Sequence, residues 1–93
     1  MKRVVLTGRC RKILRSYSKE IREAAGRAIT DVQSAFGDPH RHAGLGARKL
    51  SKQHFEIRAH LDIRLLFTED AEGLAFDFAG THDEVQRFLR GMR

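Results

Sequence analysis

One segment constrains the fold of this chain more than any other: an amphipathic helix predicted over residues 18–36. Between Ile21 and Phe36 apolar residues recur at spacings of three and four, which places them on one face of a helix. Ser18 is a suitable N-cap. The sequence Gly-Asp-Pro at 37–39 ends the helix, because glycine suits the C-terminal cap and proline cannot continue it. A helix with one apolar face needs a second apolar layer, which the rest of the chain must supply.

Three stretches that follow the helix alternate between polar and apolar residues, the period of a strand with one buried face. They are residues 55–61, 62–67 and 74–78. A turn at 69–73 and short connections make these strands an antiparallel meander. A β-branched run predicts a first strand at 2–7, and residues 47–50 are a candidate edge strand.

Two shorter helices complete the pattern. Apolar spacing over residues 9–17 suits a short amphipathic helix. Residues 81–84 read Thr-His-Asp-Glu, which is a capping box with Thr81 as N-cap. The apolar face of the helix that follows consists of Val85, Phe88, Leu89 and Met92. Residues 40–46 lack periodicity and are predicted to be a loop.

These elements predict an α+β fold, a single small domain over residues 1–93 with the order β-α-α-β-β-β and a short C-terminal helix. Its antiparallel-rich sheet packs one face on the helical pair, and the other face is expected to be unusually polar and basic. A chain of 93 residues can bury one modest core but not a two-domain cleft that encloses a nucleotide cofactor.

The sequence also excludes several classes of protein. No apolar run approaches the roughly 20 residues of a membrane span, and the apolar stretch at the N-terminus is too short for a signal peptide. Cys10 is the single cysteine, so neither an internal disulfide nor a cysteine-based zinc site is expected. We expect a small buried cysteine or a neutral surface cysteine there, and a cytoplasmic protein.

The net charge of +6 is unevenly distributed. Residues 1–27 carry nine Lys and Arg against two Glu, and residues 41–64 carry six against two acidic residues. Residues 65–93 are acidic, with three Arg against six Asp and Glu. Thirteen of the 18 cations are Arg, the side chain suited to bidentate phosphate or carboxylate contacts. Two basic blocks therefore predict an anionic partner, either nucleic acid or an acidic protein segment.

Strand alternation predicts that a cluster of chemically capable side chains shares the polar face. Its members are Glu56, Arg58, His60, Asp62, Arg64 and His82. RNA cleavage by an internal 2′-hydroxyl needs a base, an acid for the 5′-oxygen, and cations for the charge that grows on phosphate. Histidine transfers protons near neutral pH, so this set matches that reaction, which needs no metal or other cofactor.

Simpler roles are open for each of these residues. His82 also suits a polar first-turn position, and His60 an exposed strand position. The two arginines and two carboxylates can pair across adjacent strands, each pair contributing about 0.2–1 kcal/mol. His40 and His42 have the spacing of a metal pair, but no third ligand is evident and we expect no metal.

The stretch 48–90 resembles the RelE/ParE superfamily of bacterial toxin–antitoxin toxins. The residues that carry the resemblance are Lys49-Leu50, 55–58 (Phe-Glu-Ile-Arg), 62–67 (Asp-Ile-Arg-Leu-Leu-Phe) and 80–85 (Gly-Thr-His-Asp-Glu-Val). Residues 58–62 and 80–82 are most similar to the YafQ branch. The order of elements agrees with the superfamily over nearly the whole chain.

The resemblance implies a ribosome-dependent endoribonuclease that cuts mRNA. By position, His82 would be the general acid or base, and His60 the histidine of the central strand. Asp62 is near the matching acidic position, while Arg64 is where RelE proteins place a phosphate-stabilising arginine and Arg58 where they have a strand cation. RNA would also be bound by Arg48, Lys49 and Lys52, with Phe88 for base stacking. A further loop histidine would be His54 or His42.

The resemblance also implies partners. They are a cognate antitoxin that silences the toxin, the ribosome with its mRNA, and operator DNA only through the antitoxin complex, with no membrane. Two alternatives are a ParE-like inhibitor of DNA gyrase without nuclease activity and a catalytically inactive regulatory homologue.

Overall fold

The long amphipathic helix and the strands that it requires are all present. The structure, a computed structural model, describes residues 2–36 and 46–91. In chain order its elements are β1 (Val4–Leu6), α1 (Gly8–Arg15), α2 (Lys19–Ala35), β2 (Arg48–Lys49), β3 (His54–His60), β4 (Ile63–Asp70), β5 (Gly73–Gly80) and α3 (His82–Gly91). The predicted element order and the α+β class are confirmed. The predicted loop at 40–46, with His40 and His42, and the helix stop at 37–39 lie outside the described residues, apart from Gly46.

The strands form one five-stranded sheet in the order β1-β5-β4-β3-β2. Strand β1 runs parallel to β5, whereas β2–β3, β3–β4 and β4–β5 are antiparallel. The sequence predicted both the antiparallel meander and an edge strand at 47–50, and the structure confirms them as β3–β4–β5 and β2. None of the helices in the described ranges combines the length and the apolar character needed to cross a membrane.

The core lies between α1, α2 and one face of the sheet, which we call the helix-bearing face. From the helices it takes Cys10, Ala25, Ala28 and Val32, and from the sheet Ile57, Leu65, Phe67 and Phe76. Fully burying one such aromatic side chain contributes about 1.5–3 kcal/mol. Helix α2 begins as predicted from Ser18, which accepts from the Ile21 N–H, and α1 begins from Thr7, a cap that the sequence analysis did not predict and that accepts from the Cys10 N–H. Capping satisfies amide groups that lack helical partners.

The opposite face of the sheet carries α3. Strand alternation was expected to align Phe78 with Phe76 on the core side, and that prediction is wrong. The pairing shifts between Leu66 and Phe67, so that Leu66 pairs with Phe78 and Phe67 with Phe76. Asp77 is the extra residue of this bulge, and a bulge interrupts the alternation of side chains. Phe78 therefore packs on α3, with Leu66 and Val85 fully buried, and this face is less polar than expected.

The predicted strands at 55–61 and 62–67 are separated by a tight turn. Leu61 has φ of 38° and is 75% exposed, although the alternation placed it on the buried face. Asp62 is the second residue of this turn and is also exposed. Both residues leave the sheet because the chain reverses direction between β3 and β4.

Candidate active site

A buried carboxylate is the centre of the face that carries α3. The Glu56 side chain is 1% exposed, and it lies on β3, opposite the Ile57 side chain that enters the core. The Arg64 Nη1 donates to Glu56 Oε1 at 3.2 Å. The Arg48 Nη1 lies 3.7 Å and the His82 Nδ1 3.9 Å from that same oxygen. Three side chains, from β2, β4 and α3, thus converge on one carboxylate of β3.

Sheet register explains why these groups meet. Arg48 pairs with Glu56 across β2 and β3, and Arg58 pairs with Arg64 across β3 and β4. Residues opposite or diagonal to one another on one face of a sheet are close enough for long side chains to touch. Strand β5 ends at Gly80, which pairs with Arg64. The first residue of α3 therefore begins beside this cluster.

Two atoms of the cluster are buried without satisfied hydrogen bonds. Within the part of the chain that the structure describes, Glu56 Oε2 and Arg64 Nε have no hydrogen-bond partner. Leaving a buried polar group unsatisfied costs roughly 1–3 kcal/mol, and more for a charged group. Such groups call for an explanation, and here they are one acceptor and one donor of the same ion pair.

A groove of about 410 Å³ opens beside the buried carboxylate. It is lined by Gly46, Arg48, Glu56, Arg58 and Arg64. Its volume is in the range of small-ligand sites, and its three guanidinium groups suit an oxyanion such as phosphate. The groove therefore combines anion-binding groups with one proton acceptor.

The position of His82 is set by a reciprocal pair of hydrogen bonds. The Thr81 N–H donates to Glu84 Oε1 at 2.8 Å, and the Glu84 N–H donates to Thr81 Oγ1 at 3.2 Å. This is the predicted capping box. Gly80 makes room for it, because a Cβ there would lie 2.9 Å from Glu84 Oε1. The imidazole itself is half exposed.

His60 does not join this cluster, which corrects the expected convergence of the two histidines. The β3–β4 register shifts between Arg58 and His60, and this irregularity interrupts the side-chain alternation. The His60 Nε2 instead lies 3.9 Å from Glu20 Oε2 on α2. Its imidazole is therefore on the helix-bearing face, while His82 is on the other.

Three further predicted site residues lie outside the groove. Asp62 is in the exposed turn between β3 and β4. Lys49 follows Arg48 on β2 and, by strand alternation, points to the other face. Lys52 is in the exposed segment between β2 and β3. Arg48, Arg58, Arg64 and His82 are thus the predicted residues that the structure brings together.

Phe88 is occupied by contacts within the protein. Its ring stacks on Phe78 with centroids 4.4 Å apart and an interplanar angle of 10°. The Arg9 Cζ lies 4.8 Å from the Phe88 centroid, a cation–π distance. A base that stacked on Phe88 would have to displace one of these neighbours, so base stacking stays a prediction.

Among residues 2–36 and 46–91, the other side chains that could take part in catalysis do not form a second site. Burial, with a smaller effect of Asp77, raises the pKa of Cys10 to about 11, so the thiol is protonated at neutral pH and is a poor nucleophile. His54 Nδ1 bonds to Ser51 Oγ at 2.9 Å, at the far end of β3. No group of three His, Cys, Asp or Glu side chains within residues 2–36 and 46–91 has the arrangement of a metal site.

Sequence reasoning placed Glu56 on the polar face and left open that it pairs with an arginine of the adjacent strand, and the ion pair with Arg64 confirms that pairing. The signal that identifies it is the register, because Arg48 lies directly opposite and Arg64 diagonally across. That register depends on the length of the unpaired connection between β2 and β3, which strand periodicity does not specify.

Comparison with known proteins gives matches in structure alone. No family model matches the chain, and no curated protein does. A chain of the RelB–RelE antitoxin–toxin complex from Methanococcus jannaschii superposes with a TM-score of 0.68 at 13% identity, covering 90% of this chain and 96% of that one. The conserved hypothetical protein HP0894 from Helicobacter pylori gives 0.56 at 17% identity, covering 91% and 99%. At these identities the two matches show the fold alone, and this chain shares its overall fold with both solved structures.

Proposed function

We propose that this chain is the toxin of a toxin–antitoxin pair and an endoribonuclease that cleaves mRNA on the ribosome in the cytoplasm. The observation that carries the proposal is the buried Glu56 carboxylate, which lies between Arg64, Arg48 and His82 beside an arginine-lined groove. The RelE-type fold supports the assignment to toxins. A cognate antitoxin is the partner that silences it, and operator DNA is reached only through that complex.

In cleavage by an internal 2′-hydroxyl, the side chains around the groove act as the base, the acid and the groups that stabilise charge on phosphate. The Glu56 carboxylate, which lines the groove, takes the 2′-hydroxyl proton, since an ionised carboxylate is only an acceptor. The 2′-oxygen then forms a bond to phosphorus, and the bond from phosphorus to the 5′-oxygen breaks. His82 donates a proton to that leaving oxygen. The products are a 2′,3′-cyclic phosphate and a free 5′-hydroxyl.

The arginines stabilise the charge that develops on the phosphate. Arg48 and Arg58 are exposed at the mouth of the groove and bind the incoming backbone. Arg64, whose side chain is 18% exposed, lies deeper and is held by Glu56. A cation fixed in a water-poor site stabilises a transition state more than one in water does. The proposal therefore keeps His82 and Arg64 from the sequence analysis and replaces His60 with Glu56 as the partner in proton transfer.

Induction in cells, followed by mapping of mRNA 5′ ends, tests the proposal. Wild-type protein should arrest growth and produce cuts at fixed positions within codons. Glu56→Gln and His82→Ala should each lower cleavage by about 10²–10⁴-fold, because each removes one proton-transfer group. His60→Ala is the matched control, since the His60 imidazole lies beside Glu20 on the helix-bearing face of the sheet, and it should cleave as the wild type does.

Three outcomes would contradict the proposal. Undiminished cuts in Glu56→Gln would exclude Glu56 as the base. Arrest in every variant with DNA damage signalling and no new mRNA ends would favour the gyrase inhibitor. The absence of arrest in all strains, at equal protein levels, would favour the inactive regulatory homologue.

A further inference from the structure

The outer side of α2 carries a row of charged residues of alternating sign. Its members, which are all exposed, are Lys19, Glu23, Arg27 and Asp31. Residues spaced by four form a row along the surface of a helix. From the N-terminal to the C-terminal end of α2, the charges of this row are therefore positive, negative, positive and negative.

These four charges are not used in contacts within the described part of the chain. Among residues 2–36 and 46–91, none of the four takes part in an ion pair. Opposite charges at this spacing can pair along one helix, but the structure has no such pair here. Glu20 of the same helix, by contrast, lies 3.9 Å from the His60 Nε2. The row thus presents unpaired charge to a partner that contacts α2 from outside.

The order of the charges is complementary to itself when it is reversed. An antiparallel second copy of α2 places Lys19 opposite Asp31 of that copy. It places Glu23 opposite Arg27, and a twofold axis at the middle of the row repeats both contacts. Four pairs of opposite charge then form, and no like charges lie directly opposite each other. An interface between identical subunits related by a twofold axis needs such self-complementarity.

The row next to the charges is small enough to accept the row of a second copy. It contains Gly26 and Thr30, both of which are exposed. A Cβ at Gly26 would meet no atom within 4 Å. These two residues line an open depression together with Glu23, Arg27 and Asp31. Packing of such rows into each other's grooves is the commonest class of helix contact in globular proteins.

We propose that the outer side of α2 binds α2 of a second copy of this chain, antiparallel and with the twofold axis between Glu23 and Arg27. Nucleic acid fits this surface less well, because the two carboxylates of the row repel phosphate. The candidate active site is on the other face of the sheet, so the arginine-lined grooves of both copies stay open. One helix from each copy buries less than the roughly 800 Å² per partner of a standard interface, so the dimer is weak and reversible.

Analytical ultracentrifugation of the full chain over a range of concentrations measures the equilibrium between monomer and dimer. We expect wild type to dimerise, and the dimer to weaken as salt is raised. Glu23→Arg and Arg27→Glu should each weaken the dimer by at least tenfold, since each replaces two attractive contacts with two repulsive ones. Arg87→Glu makes the same change of charge at an exposed position of α3, and it should dimerise as the wild type does.

A mixture of the two single variants tests the twofold arrangement directly. Glu23→Arg makes the centre of the row positive, and Arg27→Glu makes it negative. The two variants should therefore associate with each other, although neither associates with itself. The double variant Glu23→Arg with Arg27→Glu exchanges the two charges and should dimerise again. A general effect of either substitution on the helix would not be reversed by these combinations.

A wild-type chain that stays monomeric at concentrations up to about 1 mM would overturn the inference. A dimer that persists in both single variants would also overturn it, as would single variants that do not associate when they are mixed. A monomer that gains mass only when an RNA oligonucleotide is added would overturn it and assign this side of α2 to nucleic acid. The result does not depend on RNA cleavage, because none of the substituted residues lines the groove beside Glu56.

Discussion

The two faces of the sheet differ in the groups that they bury: one buries apolar side chains, and the other buries a charged pair. The helix-bearing face places Phe67, Phe76 and Val32 in an apolar layer where each is fully buried, and burial there stabilises the fold. The other face buries Glu56 against Arg64 and leaves one atom of each without a hydrogen bond. Desolvation of such a pair offsets much of its attraction. One face therefore accounts for stability, and the other retains groups that can bind and react.

The largest expected effect lies on the helix-bearing face. Phe67→Ala should lower the free energy of unfolding by about 3–5 kcal/mol, because it removes a fully buried ring and leaves a cavity. Denaturant unfolding measures this loss in the free energy of unfolding. The matched variant on the other face is Phe78→Ala, whose ring is partly exposed and should cost less. Equal losses from the two variants would break the distinction between the faces.

The ion pair of Glu56 and Arg64 should show a large loss of stability on single substitution and almost none on double substitution. Arg64→Ala leaves the Glu56 carboxylate buried with Arg48 at 3.7 Å as its remaining close cation, and should cost about 3 kcal/mol. The double variant Glu56→Leu with Arg64→Met removes both charges and should be close to neutral in stability. It should nevertheless lack RNA cleavage. Unfolding curves and a cleavage assay on the same samples check both expectations.

Cys10 provides a pH test of the helix-bearing face. Its pKa is about 11 in the folded chain against 9.0 for the free group. The unfolded chain therefore loses the proton first, and the stability that the neutral thiol contributes should fall as pH rises from 9 to 11. The loss should be about 2 kcal/mol. Unfolding of wild type and Cys10→Ala over this range isolates the effect, and identical pH profiles would contradict it.

The two faces also differ in how far sequence predicts them. Apolar periodicity in α2 and in the strands indicated the core, since burial of Val32 or Phe67 depends only on which face a residue occupies. The site depends on two irregularities in β3–β4 and β4–β5. They place His60 beside α2 and Phe78 beneath α3, and periodicity cannot locate a bulge. The position of Glu56 between Arg48 and Arg64 could not be predicted for a related reason: it depends on which residues lie opposite Glu56 in the neighbouring strands.

The smallest expected effect compares two helix caps of the same chemistry. Ser18 caps α2 on the helix-bearing face, and Thr81 caps α3 beside the candidate active site. Replacing either with alanine should cost about 1 kcal/mol, because each removes an acceptor for a helix N–H. Equal losses in stability are therefore expected from Ser18→Ala and Thr81→Ala.

Their effects on RNA cleavage should differ. Thr81 precedes His82, and its capping box with Glu84 fixes the backbone from which the imidazole projects toward Glu56. Loss of that cap would displace His82, the proposed proton donor, and small displacements of catalytic groups are costly. Thr81→Ser, which keeps the hydroxyl, should restore cleavage. If Ser18→Ala lowered cleavage as much as Thr81→Ala does, cleavage would follow stability alone and the two faces would not be separable.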